Sequence, residues 1–76
     1  MTEQQYEKLK ANKHVYDFYQ RVFTINTASP EISAINEVII EKGGQGMNLS
    51  CSGCVIDGLK SIYNEFERYQ KENNLS

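Results

Sequence analysis

Two punctuation marks near the middle of the chain, Ser29-Pro30-Glu31 and Gly43-Gly44, constrain the fold more than any other feature. Ser29 suits a helix N-cap, Pro30 has its φ preset for the first helical position, and Glu31 complements the positive helix start. Between the marks, Ile32, Ile35 and Ile39 fall on one stripe with Ala34 and Val38 beside it. Gly43 and Gly44 end the helix, because glycine reaches the left-handed conformation that closes one. A helix from Pro30 to about Lys42 therefore sits at the centre of a 76-residue chain, and whatever flanks it must bury its isoleucine stripe.

Both flanks read as helices. Upstream, from about Glu3 to Phe23, Ala11, Val15, Phe18, Val22 and Ile25 recur with four-three spacing, and Tyr6, Leu9, Tyr16 and Phe23 lie along a neighbouring stripe. Downstream, from Ser50 to about Lys71, Val55, Leu59, Ile62, Phe66 and Tyr69 make a seam of the same period, widened by Ile56 and Tyr63. With Ser50 as N-cap, Leu49 and Cys54 take the positions of a hydrophobic staple. Period-two alternation never extends beyond a few residues, so no strand is expected. The expectation is an all-α, compact three-helix domain spanning residues 1–76, its polar tail 72–76 disordered.

A chain of this length buries only about 60% of its unfolded surface. With 39% hydrophobic residues, it is expected to complete its burial against a protein partner or a second copy. Five tyrosines and three phenylalanines supply the contact area, and Tyr6, Tyr16, Tyr19 and Tyr63 are the candidate partner-binding residues. Tyrosine joins a large apolar body to a polar tip at low entropic cost. Eight basic against ten acidic residues give a net charge of −2 with no basic block, so nucleic-acid binding is disfavoured. Lys8, Lys10 and Lys13 are the only cluster that points the other way. No apolar run approaches the roughly 18 residues that span a bilayer, and the first residues lack a signal-peptide pattern. A reducing, cytoplasmic setting is the expected location.

"GGQG" lacks the lysine and hydroxyl residue of a phosphate-binding loop and follows a helix, not a strand. No nucleophile, base and orienting group can be assembled, so the chain is not expected to be an enzyme or to take a small-molecule substrate. His14 stands alone on a charged helix face, and Asp57 reads as a surface carboxylate.

The two cysteines, in "SCSGCV", admit four readings. As small apolar groups, Cys51 and Cys54 would pack with Gly58 and Ser61 against a neighbouring helix, the favoured reading because free cysteine is among the most buried residue types. On that reading Cys54→Ser would cost about 1–2 kcal/mol. As metal ligands, they would need two more cysteines from a second chain to complete a tetrahedral zinc. As a redox pair, Cys51 would be acidified at the helix start, although the strand that normally precedes such a motif is missing. A disulfide within or between chains is the fourth.

The pattern Asn48-x-Ser50-Cys51-x-x-Cys54-Val55-x-x-Gly58-Leu59-x-x-Ile62-Tyr63, preceded by a helix and a glycine loop, resembles segments of small helical proteins of bacteriophages and related mobile elements. The resemblance covers about Asn36 to Tyr69 and leaves the aromatic first helix unmatched. It implies an accessory protein that binds a larger phage or host component. Two functions follow as expectations: a non-enzymatic interaction protein (virion or connector component, or inhibitor of a host system), and a zinc-dependent dimeric regulator built on Cys51 and Cys54. The first needs no cofactor.

Overall fold

The computed structural model describes residues 1–75 as four helices: α1 (Glu3–Ala11), α2 (Lys13–Val22), α3 (Pro30–Glu41) and α4 (Ser52–Glu72). No strand occurs among the described residues, so the all-α expectation holds. The helix count changes, because the long first helix is two.

α1 opens with a reciprocal cap. Thr2 Oγ1 accepts the Gln5 N–H at 3.1 Å and Gln5 Oε1 accepts the Thr2 N–H at 3.0 Å, which satisfies two donors that a helix start leaves free. The helix ends at Asn12, whose side-chain amide donates to the Lys8 carbonyl at 2.7 Å in place of the continuing ladder. The Leu9 carbonyl then takes the Asn12 N–H at 3.3 Å and the Tyr63 hydroxyl at 2.8 Å. One turn of backbone is thus held by a side chain from the far end of the sequence, and α2 leaves in a new register.

The core is built by three of the four helices. Tyr6 and Leu9 of α1, Ile32, Ile35 and Val38 of α3, and Val55, Leu59, Ile62, Tyr63 and Phe66 of α4 are buried. α2 contributes no fully buried residue. Each upstream stripe is divided: Tyr6, Leu9 and half-buried Tyr16 of one and Val15 and Ile25 of the other pack on this core, while Phe23 of the first and Ala11, Phe18 and Val22 of the second are exposed. Aromatic rings carry the packing across elements. Tyr6 stacks on Phe66 with centroids 4.8 Å apart, Tyr63 meets Phe66 edge-on at 5.5 Å, and Tyr16 stacks on Tyr63 at 5.0 Å. Burial pushes the Tyr63 phenol well above its ordinary pKa, so the hydroxyl remains a donor.

α3 follows its punctuation. Ser29 Oγ accepts the Ile32 N–H, and Gly43, at φ 84°, closes the helix with paired bonds from Gly43 N–H to the Ile40 carbonyl and from Gly44 N–H to the Ile39 carbonyl. The loop to α4 is pinned where the Asn36 carboxamide accepts the Met47 N–H at 2.6 Å. Met47 lies against Gly58, where a β-carbon would meet its sulfur. α4 begins one residue later than expected. Asn48 draws the Ser50 N–H onto its side chain at 3.0 Å, so the cap falls on Cys51 and the Leu49–Cys54 staple does not form. At the other end Glu72 belongs to the helix. Asn74 (φ 54°) and Leu75 turn back, with Leu75 N–H on the Gln70 carbonyl at 2.8 Å. Ser76, the last residue of the expected disordered tail, lies outside the described residues.

Tyr63→Phe is expected to cost about 1 kcal/mol in urea unfolding, because the Leu9 carbonyl keeps the Asn12 amide but loses its stronger partner. Tyr63→Ala is expected to cost about 3–5 kcal/mol, by removing the ring from between Tyr16 and Phe66. Equal stability of Tyr63→Phe and the parent would show that the hydroxyl does not hold the α1–α2 joint.

Candidate functional site

α2 presents two flanks. One meets the core through the half-buried Val15 and Tyr16. The other carries Phe18 and Val22, each 47% exposed, and leads into Phe23, 78% exposed. These positions satisfy helical spacing for burial, yet nothing among the described residues covers them. Three side chains leave on the order of 300 Å² of apolar surface open, taking about 200 Å² for a phenylalanine. The largest apolar patch on a typical monomer covers about 300–600 Å² and is often functional.

Phe23 is unusual in a second way. It ends α2 in the left-handed conformation (φ 58°), its N–H on the Tyr19 carbonyl at 2.7 Å. A bulky residue pays roughly 1–2 kcal/mol there, where glycine or asparagine would sit without strain. Burial does not repay this, so the ring is retained on a strained, solvent-facing turn. Tyr19 braces it edge-on at 6.2 Å.

A groove of about 420 Å³ runs beside this patch, lined by Val15, Phe18 and Ile25 with His14, Arg21 and Glu31 at its polar margin. His14 Nε2 lies 3.3 Å from the Glu31 carboxylate, and Lys13 is paired with Asp17 at 3.0 Å. Arg21 sits 5.9 Å over the Phe18 ring and, among the described residues, has no carboxylate partner. The margin is therefore an apolar floor with one uncommitted cation. Lys8, from the basic cluster, is paired with Glu37, which raises its pKa.

The expected tyrosine interface is redistributed. Tyr6 and Tyr63 are buried and belong to the core. Tyr16 is half-buried in the stack on Tyr63. Tyr19 alone lies beside the open patch. Phe18, Val22 and Phe23, which lie on the helical stripes of the sequence, stand out together at α2, while Ile40 of α3 and Leu75 are the other large apolar side chains left exposed among the described residues.

The cysteine pair forms a separate surface feature. Cys54 is exposed and Cys51 half-buried, so the expected packing role fails: the delayed start of α4 turns Val55, not Cys54, into the core. Cys51 Sγ caps α4, accepting the Cys54 N–H at 3.2 Å, and the two sulfurs stand 2.6 Å apart. The Cys54 S–H directed at it is the main cause that lowers the Cys51 pKa, and the same bond raises that of Cys54. Asp57, one turn on, opposes a thiolate at either position. Among the described residues no group of three or more His, Cys, Asp or Glu converges as a metal site. A tetrahedral zinc with bonds of about 2.3 Å holds two sulfurs about 3.8 Å apart. The pair would have to open to share one.

No family model matches this sequence, and no curated protein or solved structure is significantly similar to it. Among the described residues no helix is long and apolar enough to cross a membrane.

With its side chain in solvent, Cys54→Ser is expected to change stability by less than about 0.5 kcal/mol under reducing conditions. Cys51→Ser is expected to preserve the start of α4, since serine is a preferred cap. A urea midpoint lowered by 1 kcal/mol or more in Cys54→Ser, about the cost of burying an unpaired hydroxyl, would restore the packing role.

Proposed function

We propose that the chain is a non-enzymatic protein-interaction module that docks through α2. The observation that carries this reading is the outward face of Phe18, Val22 and Phe23, two of them aromatic and one held in a strained turn, on a helix that buries no residue of its own. The occupant is a partner protein offering an apolar helical segment edged by a carboxylate. The apolar part fits the groove floor of Val15, Phe18 and Ile25, and the carboxylate complements Arg21. A guanidinium already poised over Phe18 loses little freedom on pairing, which favours a directional contact.

The likeness of Asn36–Tyr69 to bacteriophage segments supports a phage accessory role, as a virion or connector component or as an inhibitor of a host system. Zinc sharing between two chains is the second reading, in which Cys51 and Cys54 would open to supply two sulfurs and a second copy the other two.

Photo-crosslinking in cells that carry the gene tests the docking face. With p-benzoylphenylalanine in place of Tyr19, a discrete adduct to another protein is expected, abolished in a Phe18→Ser/Phe23→Asn background and absent when the probe replaces Glu67. Asparagine tolerates the left-handed turn, so the paired variant is expected to fold. No adduct from position 19, adducts equally strong from position 67, or an adduct only to a second copy of the chain would each overturn the proposal.

A further inference from the structure

We infer that Cys51 and Cys54 form a thiol–disulfide site, in which Cys51 is the attacking sulfur and Cys54 the resolving one, and whose reaction partners are low-molecular-weight disulfides. This lies apart from the docking reading and rests on different residues. Three features of the rim carry it. The sulfurs are in contact at 2.6 Å, so ring closure requires no movement of helices. Cys54 is exposed and Cys51 half-buried, so a small disulfide can reach the pair. Finally, the backbone N–H of Cys54 points at Cys51 Sγ from 3.2 Å and that of Gly53 also favours a thiolate there, whereas at Cys54 such help, from its own N–H, is the smallest influence. A thiolate at Cys51 therefore gains more charge-assisted bonding than one at Cys54.

The reaction balances without further components. The Cys51 thiolate attacks one sulfur of the small disulfide, which breaks the S–S bond, forms a mixed disulfide on Cys51 and releases one small thiolate. Cys54 loses its proton to solvent and attacks Cys51 Sγ. The Cys51–Cys54 bond forms as the second small thiolate leaves. Two electrons pass from the chain's two thiols to the small disulfide, which is reduced to two thiols. The reverse sequence, starting from an excess of small thiol, restores the dithiol. One disulfide forms per chain, a stoichiometric change of state and not a turnover.

Oxidised glutathione is the probe. The reduced full chain, freed of reductant, is exposed to it, quenched by alkylation and mapped by mass spectrometry. The expected product is monomeric, two hydrogens lighter, with Cys51 linked to Cys54. Cys54→Ser is expected to trap glutathione on Cys51, and to do so at least about tenfold faster than Cys51→Ser traps it on Cys54. Circular dichroism checks that both variants keep their helices. The wild-type mapping needs no variant at all. Glutathione retained on both cysteines, a disulfide only between chains, equal trapping rates in the two variants, or thiols shielded by stoichiometric zinc until a chelator is added would each overturn the site.

Discussion

The hydroxyl of Tyr63 on the Leu9 carbonyl is the contact on which the arrangement of the other parts depends. It is buried, 2.8 Å long, and joins positions fifty-four residues apart. The ring that carries it stacks on Tyr16 and meets Phe66 edge-on, and Phe66 in turn stacks on Tyr6. A single side chain of α4 therefore fixes the end of α1, the start of α2 and the centre of the core. The ladder is interrupted where Asn12 gives its side-chain amide to the Lys8 carbonyl, and the Tyr63 hydroxyl ties that interruption to α4. The two helices are thereby separate, and the register changes after Asn12.

The open face of α2 is a consequence of that break. Because the helix is attached by Val15 and Tyr16 on one flank, Phe18 and Val22 are carried away from the core. Covering about 300 Å² of apolar surface returns about 7–8 kcal/mol on this side of an interface. Association costs some 4–15 kcal/mol before any net affinity appears. The patch alone therefore suits a partner that adds comparable apolar area and a directional polar contact, the part assigned to Arg21. The strained Phe23 fits the same logic, since its backbone closes α2 while its ring stays largely in water.

Much of this was legible in the residues. The all-α class, the bounds of α3, and the seam of Val55, Leu59, Ile62 and Phe66 follow from spacing and punctuation, because those elements are determined locally and by one buried stripe. What spacing cannot carry is a contact between distant positions. Asn12 is an ordinary residue inside a helical pattern until its side chain takes the Lys8 carbonyl and the Tyr63 hydroxyl takes that of Leu9, so the first helix reads as continuous and spacing does not separate the residues of its stripes that pack from those that stay open. Tyr63 illustrates the same limit, since an amphipathic ring at a helix position suits an interface and a core equally well by sequence. The cysteines turned on a single residue. Asn48 captures the Ser50 amide, the cap moves to Cys51, and Cys54 rotates out of the core.

The surface thus holds two features that the core does not use: an apolar helix face with a lone cation beside it, and a contacting pair of thiols at the start of α4. Both depend on small shifts of register fixed by side-chain hydrogen bonds, at Asn12 and at Asn48. Fluorine NMR of the chain labelled with fluorophenylalanine at its three phenylalanines tests most directly whether α2 is bent away from the core. A soluble paramagnetic agent should broaden the Phe18 and Phe23 resonances strongly and leave that of Phe66 sharp. Equal protection of all three rings, at a dilution where the chain sediments as a monomer, would mean that α2 is packed inward and that there is no open face.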